Sequence, residues 1–137
     1  MSIGIGAHAN LIAEDKNTVM YEYGSYNLND PQFRNENHLL DGFITIQRTC
    51  FGEPEIHEKV KKMPSGKKKL VIKRIPVDVE YGEMILDGRI VVENCSNTWR
   101  MTENELHLDV MALRLLFKIF RSYQEERTIP KVISLNV

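Results

Sequence analysis

Apolar residues recur at intervals of three and four from Thr102 to about Glu126, in the stretch TENELHLDVMALRLLFKIFRSYQEE. Leu106, Val110, Leu113, Phe117 and Phe120 follow one another at helical spacing. Leu108, Leu115, Leu116, Ile119 and Tyr123 widen that face until only His107, Arg114, Lys118, Arg121 and Glu125 remain as a polar stripe. The pattern predicts one long, largely buried C-terminal helix, about 102–126. Thr102 and Glu105 match a capping box and Met101 and Leu106 a hydrophobic staple. Ile129-Pro130 ends the helix, because the residue before a proline is pushed out of the α region.

The start of the chain has a different period. Ile3, Ile5, Ala7, Ala9 and Leu11 alternate with Gly4, Gly6, His8 and Asn10, and Val19, Tyr21 and Tyr23 resume the alternation beyond Glu14-Asp15-Lys16-Asn17. This predicts an antiparallel hairpin. The glycines of its first strand imply that something packs closely over it, with the long helix as the expected neighbour. Residues 27–41 are polar and turn-rich, with Asp30-Pro31 as a possible short-helix start. Further strands are expected at Phe43–Phe51, Leu70–Ile75, Arg89–Glu93 and Ile133–Val137. Glu53–Lys62 reads as a short helix that turns Ile56 and Val60 inward. Another is preferred at Val79–Leu86, with Pro76 before it and Gly88 after it, although Val77 to Tyr81 also alternates as a strand does. Together these elements describe an α+β fold: a mostly antiparallel sheet of about five strands packed on the long helix, with one or two short helices.

Length changes this picture little, since 137 residues suit a single globular domain, 1–137. A net charge of −1 gives no overall field to recruit nucleic acid or an anionic membrane. The N-terminal stretch has no basic, continuously apolar leader. Nor does any apolar run approach the roughly 20 residues that cross a bilayer. The expectation is a cytoplasmic protein without a membrane partner, its Cys50 and Cys95 reduced and buried.

Candidate chemistry is sparse. His57-Glu58 begins a zinc-helix motif, but Lys61 stands where the second histidine belongs, so the metal-ligand pattern fails. Gly4-Ile5-Gly6 is half of a dinucleotide fingerprint without the rest. Cys50 would need a histidine beside it to act as a nucleophile. No enzyme activity, metal or cofactor is expected. The cations Lys59, Lys61, Lys62, Lys67, Lys68, Lys69, Lys73 and Arg74 form the most uneven charge feature, yet no aromatic residue lies among them to stack on bases, which disfavours nucleic acid. Tyrosine, tryptophan, arginine and amide residues gather instead at element ends, in YGSYNLN and NCSNTWR. Those residue types are suited to a protein interface. The candidate partner-binding residues are therefore Tyr26, Asn27, Asp30, Asn97, Trp99 and Arg100, although Trp99 suits a cap on the core slightly better than an interface.

Through YEYGSYNLN, VVENCSNTW and IPKVISLNV, and through its size, the chain resembles the small single-domain bacterial immunity proteins of polymorphic and contact-dependent toxin systems. The resemblance implies a non-enzymatic inhibitor whose partner is a cognate protein toxin, bound so that the toxin's active site is blocked or distorted. It assigns no residue a role, because these proteins share no common motif. The alternative is a small enzyme or nucleic-acid-binding protein that uses the basic 59–74 segment.

Overall fold

The computed structural model describes residues 3–52, 55–75 and 80–136. Two long strands, β1 (Ile5–Glu14) and β2 (Thr18–Asn27), form the predicted hairpin, paired from Ile5↔Asn27 to Glu14↔Val19 with one irregularity between Leu11 and Ala13. Its turn is fixed by Asp15, whose carboxylate accepts from the Asn17 and Thr18 amides at 2.7 Å each. Those backbone amides hold the carboxyl below its ordinary range. Strand β3 (Gly42–Gln47) then pairs with β2. The chain departs through β4 (Glu55–Lys62), β5 (Lys68–Ile75) and α1 (Tyr81–Leu86), and returns as β6 (Ile90–Glu93) beside β3. After α2 (Val110–Glu126), β7 (Val132–Asn136) pairs with β1. The result is a five-stranded antiparallel sheet in the order β6-β3-β2-β1-β7, with α2 on one face and β4–β5 as a separate two-stranded sheet. No helix among the described residues is long and apolar enough to cross a membrane.

Alternation along each strand sends one set of side chains to the helix. Ala7, Ala9, Val19, Tyr21, Tyr23, Ile44, Ile46, Ile90 and Ile133 are buried there against Met111, Ala112, Leu115, Leu116, Ile119 and Phe120 of α2. The buried face of the helix is thus rotated from the one its spacing suggests. Phe117 is 48% exposed and Leu106 is 45% exposed, outside the helix altogether. Phe117 borders the core through the edge of the Tyr81 ring, their centroids 6.4 Å apart.

The helix also starts later than its apolar pattern. Thr102 is used in a loop: its hydroxyl donates to Asn104 Oδ1 at 2.7 Å and its Oγ1 accepts from the Leu108 amide at 3.1 Å. Asp109 is the actual N-cap, accepting from the Met111 amide at 2.9 Å. At the other end Arg127, in the left-handed region at φ 59°, closes the helix two residues before Ile129-Pro130 is reached.

The expected helix at Glu53–Lys62 is a strand over Glu55–Lys62, and Ile56 and Val60 are exposed rather than inward. Spacing i, i+4 places residues on one face in a strand as well as in a helix, so those two residues could not distinguish the periods. The expected helix near Val79–Leu86 is present as α1, whose first helical residue is Tyr81; Pro76 and Val79 lie outside the described residues.

Candidate functional site

The face of the sheet away from α2 is open, and its β1–β2–β7 end is walled by the chain between Leu28 and Leu40. A groove of about 760 Å³ lies between them, lined by His8, Tyr26, Leu28, Arg34, His38, Leu40 and Asn136 among others. Two glycines permit the close approach. A Cβ on Gly6 would run into the Leu135 carbonyl and the Tyr26 ring, and one on Gly24 into the Leu39 carbonyl. Gly6 therefore makes room for Tyr26 and a neighbouring strand, and not for the long helix.

Side-chain amides hold the wall in place. Asn35 Nδ2 donates to the Ser25 and Leu39 carbonyls at 3.1 and 3.0 Å, and its Oδ1 accepts from the Leu39 amide at 2.9 Å. Asn97 Nδ2 donates to the Ser25 and Phe33 carbonyls at 2.7 and 2.9 Å. Asn29 Nδ2 reaches the Ile3 carbonyl at 2.7 Å. Asp30 caps the short 3-10 turn Pro31–Phe33 by accepting from the Gln32 amide. Asn35 and His38 both sit at φ 52°, a conformation that asparagine and histidine tolerate better than most residues. The wall is thus tied to the sheet before any ligand arrives.

The floor carries a row of polar contacts set by strand register. His8 faces Ser134 across β1 and β7, with Nδ1 2.7 Å from Ser134 Oγ and Nε2 3.1 Å from Asn10 Oδ1. With Asn10 Oδ1 as an acceptor, a neutral ring carrying its proton on Nε2 would accept from the Ser134 hydroxyl at Nδ1. Tyr26 donates to Asn136 Oδ1 at 2.5 Å. Arg34 donates to the Leu28 carbonyl at 3.0 Å and meets Glu36 at 3.3 Å, both side chains well exposed. A groove with donors and acceptors at fixed points between Leu28 and Leu40 suits an extended polar segment or a side chain of a partner.

A second polar cluster is buried on the helix side. Asp109 is fully buried, and its Oδ2 accepts from Tyr23 at 3.0 Å, Thr98 at 3.2 Å and the Cys95 thiol at 3.5 Å. The Cys95 amide donates back to the Tyr23 hydroxyl at 2.9 Å. Burial raises the Asp109 carboxyl above its ordinary range, against the opposing hydrogen bonds from Met111, Tyr23, Cys95 and Thr98. Burial, with the Asp109 charge beside it, raises the Tyr23 phenol as well. With its hydrogen bonds satisfied and no opening to the groove lining, this cluster ties the start of α2 to β2.

The residues proposed from sequence divide between these surroundings. Tyr26 lines the groove; Asn27, Asp30 and Asn97 shape the turn and wall without lining it. Trp99 is half-buried against the core, its Nε1 buried with no hydrogen-bond partner among the described residues, and Arg100 is exposed. His8, Arg34, His38, Ser134 and Asn136 were not singled out by residue type. Alternation placed His8 opposite Ala7 and Ala9, but only the β1–β7 pairing brings it to Ser134.

Among the described residues no three histidine, cysteine or acidic side chains are grouped to hold a metal ion. Cys50 and Cys95 are buried, unpaired thiols. Comparison with protein-family models, curated proteins and solved structures finds no match to the chain.

Proposed function

We propose that this protein is a non-enzymatic binding module that seats a segment of a protein partner in the groove beneath the 28–40 wall. The carrying observation is the wall itself: Asn35 and Asn97 pin it to the Ser25 carbonyl, so little order has to be created on binding. The resemblance to bacterial immunity proteins supports the specific form of this reading, an inhibitor of a cognate toxin in the cytoplasm. Affinity capture from the source cell followed by mass spectrometry would identify the partner. Its affinity would then be measured against Tyr26→Ala and Leu40→Asp variants shown to fold. Loss of binding by both, with loss of protection against the partner's activity, is the expected result. Unchanged binding by both would remove the groove from the interface.

One observation favours a different reading. Ser134, His8 and Asn10 are linked in the sense of a nucleophile, a base and its orienting amide. Directly opposed strand residues make such bonds as ordinary cross-strand ties, so the binding reading leads. A fluorophosphonate probe decides between them: labelling that vanishes in Ser134→Ala would identify a hydrolase. No labelling, and no phosphate or ester turnover, is expected.

A further inference from the structure

The β4–β5 hairpin presents Ile56, Val60, Leu70 and Ile72 on one face, and each is more than half exposed. A two-stranded sheet of this kind is marginal on its own and is normally covered on its apolar face. Its charge is as uneven as its hydrophobicity. Residues 55–75 hold eight of the 18 lysines and arginines but two of the 19 carboxylates, leaving ten cations against seventeen carboxylates elsewhere. Lys62 stands directly across from Lys68, on the same face as Val60 and Leu70. Like charges directly opposed weaken a ladder unless anions lie between or above them.

The complement lies on the same chain. The β2–β3–β6 half of the open sheet face, beside the groove, places Met20↔Thr45↔Val91 in one cross-strand row and Glu22↔Phe43↔Glu93 in the next. Met20 and Phe43 are partly exposed and Val91 is 47% exposed. This patch is apolar at its centre and flanked by two carboxylates, whereas the hairpin face carries Glu58 among its aliphatic residues and ends in the paired cations Lys62 and Lys68. We propose that the hairpin docks on this patch of a second copy of the chain, and receives that copy's hairpin in return. A reciprocal exchange closes as a two-fold dimer, uses both contacts and leaves no open end for a fibre. It does not depend on the identity of any groove ligand.

Sedimentation equilibrium of the full chain, from micromolar to millimolar concentration, tests this directly. The expected result is a reversible dimer that weakens as salt is raised. Val60→Asp should weaken self-association by about tenfold or more, as should Lys62→Glu/Lys68→Glu and Glu22→Lys/Glu93→Lys. Combining the two charge-reversed pairs in one chain should restore the dimer. Thermal melts establish that each variant folds, and the charge variants carry the test alone if Val60→Asp does not. A chain that stays monomeric throughout, a dimer indifferent to the hairpin substitutions, or a combined variant no stronger than either pair alone would each overturn the proposal. Recovery of an acidic protein partner by a monomeric chain would overturn it too, and would give the hairpin a different occupant.

Discussion

Leu116 and Phe117 are neighbours on α2 with opposite surroundings: Leu116 has no exposed surface, while Phe117 is 48% exposed. Leu116→Ala is expected to cost about 2–5 kcal/mol through lost burial and an unfilled cavity. Phe117→Ala should cost about 1 kcal/mol, since half of its surface already meets water and its ring contact with Tyr81 is an edge contact. Urea melts of the two variants measure the difference, and equal losses would mean the helix is rotated about its axis. Asp109 makes a sharper case. Its folded pKa lies above the ordinary 3.8, so the stability it contributes is fully present below that value and is lost as pH rises through the folded pKa. Asp109→Asn keeps the N-cap acceptor but turns an amide toward the Tyr23 and Thr98 hydroxyls, at a cost of about 1–3 kcal/mol. The gap between parent and variant should be widest in acid and narrow toward neutral pH. A gap independent of pH would show that Asp109 does not titrate in that window.

At the scale of elements, the groove wall can be moved without touching its lining. A Cβ at Gly24 meets the Leu39 carbonyl, which is backbone and cannot rotate away; Gly24→Ala should therefore push the wall outward and weaken groove binding. Gly66, in the β4–β5 turn at φ 86°, has nothing within 4 Å of its Cβ position, so Gly66→Ala carries only backbone strain of about 1–2 kcal/mol. Binding and urea stability measured on both variants separate displacement of the wall from simple turn strain.

The elements themselves differ in how openly the chain encodes them. Val19, Tyr21 and Tyr23 announce β2 because alternate residues are apolar and buried, and the long helix announces itself by its period. Its first residue was hidden, because Leu106 and Leu108 continue the apolar spacing through a loop that Asn104 and Thr102 organise by hydrogen bonding. Strand β4 was hidden for the opposite reason: with Ile56 and Val60 facing solvent, apolar spacing no longer marks a buried face. Tyr26 could be found from its residue type. His8, Ser134 and Asn136 are drawn together by pairing between the first and last strands, which no local pattern records.

For the whole molecule, two sheets of unequal support predict unequal stability. The five-stranded sheet is sealed by α2, whereas β4–β5 has its aliphatic side chains in solvent. Hydrogen exchange should show β4 and β5 amides exchanging well before those of β2 and β3, each pair read at the same pH. Exchange at equal rates would mean that the hairpin is covered in solution, and slower exchange at higher concentration is what the exchanged dimer requires. The thiols report on the same core. Burial raises the Cys50 thiol, with the Arg89 charge opposing, so native protein should react slowly with a thiol reagent and completely once denatured.

The placement of β1 between β2 and β7 bears on synthesis. Strand β1 gains one neighbour almost at once but waits for the other until the chain has passed α2. Ala7 and Ala9 then meet Leu135 and Ile133, contacts that span nearly the whole length of the chain. Such distant closure slows folding, and meanwhile the nascent chain displays a free β1 edge, a template for stray strands. The polar His8 and Asn10 along that strand, alternating with small Ala7 and Ala9, make it a poor seed for aggregation during the wait.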